Sequence, residues 1–215
     1  MRNISILICC LLAICQPITA QKEWKLQKDR HGVKIYYREA ADSPIKELKI
    51  VTQAKSTLSA ALAVLQDVPN LSKWVYRCSE AKMIKVVSPS VYHYSNITDF
   101  PWPMYDREFV MRCTTWQEPT TLIVHSGSTA IPDAIPADSR YLRVRKTESW
   151  WTFKPLGNGM IEIEYYLKSD PGGNIPSFLI NAALDSGPLY SLEKFKKLVQ
   201  QPAYAKARLS YIKEK

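Results

Sequence analysis

The stretch that most constrains this chain lies near its C-terminus, Pro171 to Val199, reading PGGNIPSFLINAALDSGPLYSLEKFKKLV. Asp170-Pro171-Gly172-Gly173 stops whatever precedes it. Asn174 can cap a helix, and Pro176 suits a first turn, where a missing N–H costs nothing. The spacing predicts one helix of about 24 residues, roughly 36 Å long at 1.5 Å per residue. Its second half is amphipathic, with Leu192, Phe195 and Val199 on one face and Glu193, Lys194, Lys196 and Lys197 on the wet side. Its first half, Phe178-Leu179-Ile180 and Ala182-Ala183-Leu184, is apolar around nearly the whole circumference and asks for cover on most sides. Gly187-Pro188 is expected to kink the helix between the two. One half reads as an anchor, the other as a small-residue face laid over something the rest of the chain must supply.

The rest of the chain is mostly strand. Trp24–Lys28 and Val33–Arg38 flank Asp29-Arg30-His31-Gly32, a hairpin signal. A strand over Ile45–Lys55 leads to Thr57, a cap for a helix over Leu58–Asp67 whose apolar face is Leu58, Ala61, Leu62 and Leu65. A short helical turn follows at Leu71–Trp74. Further strands are expected over Ser79–Val87, Val91–Thr98, Arg107–Trp116, Thr121–Ser126, Arg140–Lys154 and Met160–Lys168, the last two joined by the tight turn Leu156-Gly157-Asn158-Gly159. Connections this short make the sheet antiparallel and strongly curved. Ile161, Ile163, Tyr165 and Leu167 alternate with Glu162, Glu164, Tyr166 and Lys168, so one face of the sheet is apolar and must be covered. The long C-terminal helix is the element available to cover it. The fold class is therefore α+β: a curved antiparallel sheet wrapped around a long C-terminal helix, with an internal apolar cavity where small helical residues leave a void.

Charge and the N-terminus bound the setting. Arg2, an apolar run from Ile4 to Ile14, Pro17 and Ala20 read as a signal peptide over residues 1–20, too short in its apolar part to span a bilayer. Its removal would place the protein in a periplasmic or extracellular space, with the domain over 21–200 and a polar, basic tail over 201–215. Net charge is +9, and +8 without the leader, because Arg2 is the only charged residue lost. A balance of that size fits an anionic membrane surface. Nucleic acid is not expected, because the basic residues form no run or stripe. Cys78 and Cys113 remain after cleavage and are read as unpaired strand residues rather than a bridge.

Two motifs carry a resemblance. Asp99-Phe100-Pro101-Trp102-Pro103-Met104-Tyr105-Asp106-Arg107-Glu108-Phe109-Val110 resembles the Pro-Trp-Pro and Asp-Arg-acidic-aromatic-Val segment of START (StAR-related lipid-transfer) domains. Gly172-Gly173-Asn174-Ile175-Pro176 followed by Phe178-Leu179-Ile180-Asn181 is similar to the same family's approach to its C-terminal helix, and Trp151-Thr152-Phe153-Lys154-Pro155 also fits. The likeness covers about residues 24 to 200. It implies a helix-grip fold whose tunnel holds one hydrophobic lipid, such as a sterol or phospholipid, with the Asp99–Asp106 loop and the C-terminal helix as gate. The loop's own chemistry agrees: Phe100, Trp102, Met104 and Tyr105 put four large apolar groups on a connection that is normally exposed, and aromatics with a polar edge suit a bilayer interface. The Gly127–Ser139 loop is a second candidate rim.

The expected tunnel lining is Tyr94, Phe109, Met111, Cys113, Ile163, Tyr165, Ile180, Ala183, Leu184 and Gly187. In sterol-carrying relatives an acidic residue and an arginine often pair inside the tunnel; counted from Arg107, those places fall here on Tyr94 and Cys113. This sequence departs from that pattern, which predicts a neutral, mostly apolar tunnel that avoids burying charge. The expected partners are a lipid and, transiently, a membrane surface, with the protein acting as a monomer. No cofactor and no metal are expected, since His31, His93 and His125 have no Cys, Asp or Glu at ligand spacing. A non-catalytic role is expected. The alternative is an enzyme of the polyketide cyclase or aromatase type, which shares the helix-grip fold but would need a titratable group within reach of its ligand.

Overall fold

The computed structural model describes residues 22–215, so the expected signal peptide at 1–20 lies outside the described residues. Ten strands form one curved antiparallel sheet: β1 (Lys25–Arg30), β2 (Val33–Arg38), β3 (Glu47–Lys55), β4 (Cys78–Ser88), β5 (Val91–Thr98), β6 (Arg107–Gln117), β7 (Val124–Ala130), β8 (Leu142–Arg143), β9 (Lys146–Gly157) and β10 (Met160–Asp170). Their order across the sheet is β1-β2-β3-β10-β9-β7-β6-β5-β4, and the two-residue β8 pairs parallel with β6. Helix α1 (Leu58–Gln66) and a 3-10 turn (Val68–Lys73) connect β3 to β4; α2 (Ser177–Ala183), α3 (Ser186–Leu198) and α4 (Pro202–Ala205) close the chain.

Local chemistry sets most of these boundaries. Thr57 caps α1 as its sequence position predicts, its Oγ1 accepting the Ala60 amide at 3.1 Å. The turn between β9 and β10 runs through Gly157, Asn158 and Gly159, all at positive φ, which is the conformation Asn-Gly turns favour. Register then follows alternation: Ile161 and Ile163 on β10 stand opposite Pro155 and Phe153 on β9, facing the concave side.

Three expectations change. The C-terminal helix is interrupted at Leu184–Asp185, ahead of Gly187-Pro188, by a two-residue turn whose backbone keeps right-handed helical angles. Pro188 lacks the N–H that would bond the Leu184 carbonyl, and its ring would crowd that carbonyl, so the chain ends one helix and restarts with Pro188 in the first turn of the next. The expected strand over Arg140–Lys154 is divided into β8 and β9. β7 begins at Val124, not Thr121, and runs on to Ala130, so the segment expected as a rim loop is partly strand. What remains of that loop is pinned by Arg143, which pairs with Glu108 and donates to the carbonyls of Ile135 and Pro136.

Residues 201–215 dock on α1 rather than trailing as a separate tail. Glu214 accepts the Leu58 and Ser59 amides at 3.0 and 2.8 Å, closing the first turn of α1 beside Thr57. Ile212 is buried, and Tyr204 donates to Asp67. A carboxylate at a helix N-terminus is stabilising because it meets unpaired N–H groups.

Candidate functional site

The concave face of the sheet is filled at one end and hollow at the other. At the filled end, Phe195 of α3 lies parallel to Phe153, 5.9 Å between ring centroids, and Leu192 and Val199 join Ile50, Ile161, Ile163 and the α1 residues Leu58 and Leu62 in one core. Trp151 and Trp74 pack on Phe195 at 4.9 and 5.5 Å and form the next layer. Above them the packing stops. A cavity of about 870 Å³ opens between β5, β6, β7, β9 and β10 below and α2 above, at the upper end of the size range of small-molecule sites.

Eight of the ten residues expected to line a tunnel border this cavity: Tyr94, Phe109, Cys113, Tyr165, Ile180, Ala183, Leu184 and Gly187. Met111 and Ile163 do not. Met111 shares the concave face with Phe109 and Cys113, but its cross-strand partner Tyr94 borders the void in its place. Ile163 is fully buried one layer too deep, opposite Phe153, where α3 already covers the sheet. Alternation gives the face of a residue, not its depth along the strand, and depth excluded Ile163. The Gly127–Ser139 rim is also absent from the lining, apart from Ser128, which belongs to β7.

The mouth is built from two loops and α2. Phe100, Met104 and Tyr105 line it, whereas Trp102 is 92% exposed and points away into solvent. Opposite stand Pro171 to Pro176, turned by Gly172 and Gly173 at positive φ, and then α2, which has no buried residue and leaves Phe178 and Leu179 exposed. Arg107 ties the two loops together. Its guanidinium is buried, donates to Pro171 O and Gly172 O at 3.2 Å each and to Tyr105 O, and lies 4.0 Å above the Phe100 ring. Burial lowers its pKa, and neighbouring Asp106 opposes that shift. The partners of Arg107 are thus carbonyls. Its neighbour Glu108 faces the other way and pairs with Arg143 at 2.8 Å.

The polar ties of α2 run through Asn181 and the junction that follows it, where Leu184 is also buried in the core. Asn181 accepts the Lys46 amide at 2.8 Å and donates to Pro44 O at 3.1 Å. At the junction between α2 and α3, buried Asp185 takes Lys28 at 2.5 Å, and the Tyr37 hydroxyl stands close to the same carboxylate. Burial first, then the Asp185 charge, raises the Tyr37 hydroxyl to about 12.

Several lining residues were not foreseen. Trp151 was legible, since it shares parity with Phe153. Trp74 needed the fold, because it sits just after the 3-10 turn and reaches the cavity from the side. Ser126, Ser128, Ser149 and Ser169 form a hydroxyl-bearing wall over β7, β9 and β10. Serine carries little strand signal, so nothing in the sequence marked them. Tyr94 and Tyr165 stay neutral, burial pushing both phenols well above their ordinary range. Cys78 and Cys113 are both buried and unpaired, and burial raises the Cys78 thiol to about 11. His31, His93 and His125 all stand away from the cavity; His125 bonds Glu118 at 2.9 Å on the outer face.

Comparison with known proteins agrees with this architecture. The sequence model described as START domain matches residues 13–204. An uncharacterized protein of Pseudomonas aeruginosa is 34% identical over 84% of this chain and 88% of its own length. The phosphatidylcholine transfer protein of Rattus norvegicus is 23% identical over 80% of this chain and 81% of its own. A crystal structure of a STAR-related lipid transfer protein fragment from Xanthomonas axonopodis superposes with a TM-score of 0.77 at 24% identity, covering 83% of this chain and 99% of that one.

Proposed function

The chain belongs to the START domain family, and on that footing we propose that it holds one hydrophobic lipid in the cavity beneath α2 and exchanges it with membranes through the mouth beside Trp102. The observation that carries this reading is the hollow itself, about 870 Å³ in volume, apolar in most of its lining and covered by a helix with no buried side chain. Binding would be driven by desolvation of the lipid, on the order of 25 cal/mol per Å² of apolar surface removed from water. Trp102, Tyr105, Phe178 and Leu179 give the mouth a ring of exposed apolar groups, of the kind that meets another apolar surface. The net charge of +9 favours an anionic bilayer as that surface. The role is binding rather than catalysis, since the deep wall offers neutral phenols, serines, an indole and a thiol, and no acid–base group poised near neutrality.

Native mass spectrometry of the purified protein, followed by lipid extraction, tests the reading. A single lipid per chain is expected in the wild type and none in Ala183→Trp, whose indole would occupy the space under α2 while the protein keeps its melting temperature. A wild-type chain that is empty and takes up no lipid from vesicles would overturn the proposal.

A further inference from the structure

The cavity wall holds more hydrogen-bond donors than the protein uses. Ser128 on β7 and Ser149 on β9 are direct cross-strand partners. Tyr94 donates to Ser128 across 3.4 Å, and the Tyr165 hydroxyl stands close to Ser149. A well-made O–H···O bond spans about 2.5–3.0 Å, so the first of these is slack. Each serine that accepts from a tyrosine keeps its own O–H, which has no acceptor among the described residues. Trp74, 4% exposed and bordering the same cavity, has a buried indole Nε1–H with no partner at all. That N–H is closed off from the cavity space as well, so it is not among the groups offered to a ligand.

Charge is distributed in the opposite sense. The charged residues on the lining are Arg77, Asp99 and Arg107, all at the mouth. Arg77 and Asp99 are exposed there, and the Arg107 guanidinium is already engaged by three carbonyls. Around Tyr94, Ser128, Ser149, Tyr165 and Trp74 the lining has neither a basic nor an acidic side chain. A zwitterionic or anionic headgroup placed there would lose its hydration with no countercharge in return.

We propose that Ser128 and Ser149, beside Tyr94 and Tyr165, are the polar anchor of the cavity, and that they select a neutral lipid presenting an acceptor oxygen, such as a carbonyl, over a lipid with a charged headgroup. This rests on the lipid-binding reading and adds to it the ligand's chemical class. Size is compatible: about 870 Å³ lies within the range of cavities that enclose a small molecule.

Three probes separate the possibilities: dioctanoylglycerol, dioctanoylphosphatidylcholine with the same acyl chains, and squalene, which has no oxygen. Titrated against the full chain, dioctanoylglycerol is expected to bind at least tenfold tighter than the phosphatidylcholine. The double variant Ser128→Ala/Ser149→Ala should weaken dioctanoylglycerol about tenfold, in line with two neutral hydrogen bonds. Its squalene affinity and melting temperature should stay within error of the wild type. Equal or tighter binding of the phosphatidylcholine, or an unchanged dioctanoylglycerol affinity in the double variant, overturns the anchor while squalene binding leaves the lipid reading standing. Failure of all three probes to bind overturns both.

Discussion

α2 and α3 are consecutive in sequence and lie over the same sheet, yet they do opposite things. α3 sinks Leu192 and Phe195 into the core and shows solvent its lysines. α2 is the more apolar of the two and buries no residue. Its Phe178 and Leu179 are exposed, and its hold on the domain runs through Asn181 and the Asp185 junction. Apolar composition therefore does not identify the anchor here. What distinguishes the anchor is the presence of large side chains opposite. Below α3 the sheet offers Phe153, Ile163 and Ile50; below α2 it offers Ser128, Ser149 and a void. A helix over a void gains little from burial and can lift at low cost, which is what a lid requires.

The sharpest way to break this contrast is to truncate one phenylalanine from each helix. Phe195→Ala removes the ring that meets Phe153, Trp151 and Trp74, and should cost about 3–5 kcal/mol in urea unfolding. Phe178→Ala, on the exposed side of α2, should cost under about 0.5 kcal/mol. Comparable losses from the two would mean that α2 is a structural helix like α3.

The mouth sharpens it further. Trp102→Ser should slow lipid exchange with anionic vesicles about tenfold and leave the melting temperature unchanged, because that side chain is almost wholly in solvent. Phe100 is a poorer choice for the same test, although the sequence groups the two. It packs under the Arg107 guanidinium, so replacing it disturbs the clasp between the two loops as well as the membrane-facing surface. Normal exchange by Trp102→Ser would remove that residue from the gate.

The smallest effect is expected at the α2–α3 junction, read through pH. Tyr37 is neutral in the fold, its pKa raised from 10.0 to about 12 by burial and by Asp185. A group raised in this way adds stability that is fully present below its unfolded pKa and is lost as pH rises through the folded one. Melting temperature should therefore fall between about pH 10 and pH 12, and fall less steeply in Tyr37→Phe. Tyr204, also raised to about 12, remains in both proteins, so the difference between their curves is the quantity to measure. Parallel curves would show that the Tyr37–Asp185 contact does not contribute to the junction.

Sequence alone determined the sheet, its antiparallel pairing, the apolar face of β10, the cap at Thr57 and the division of the C-terminal segment into two dissimilar halves. These are local matters: alternation, turn residues and caps act within a few positions of one another, so they are written in consecutive residues. Sequence also gave the correct face for Met111 and Ile163, and for the eight residues that do line the cavity. Tertiary structure decided depth. Only the meeting of α3, α1 and the sheet shows where packing ends and the hollow begins, which puts Ile163 below the floor and makes Trp74 part of the wall. It also decided that Ser128 and Ser149 share a surface with Tyr94 and Tyr165, and that Arg107 bonds carbonyls from two loops far apart in sequence. Contacts of this kind depend on cross-strand register and on the space left by other elements, and no residue reports either one to its neighbours in the chain.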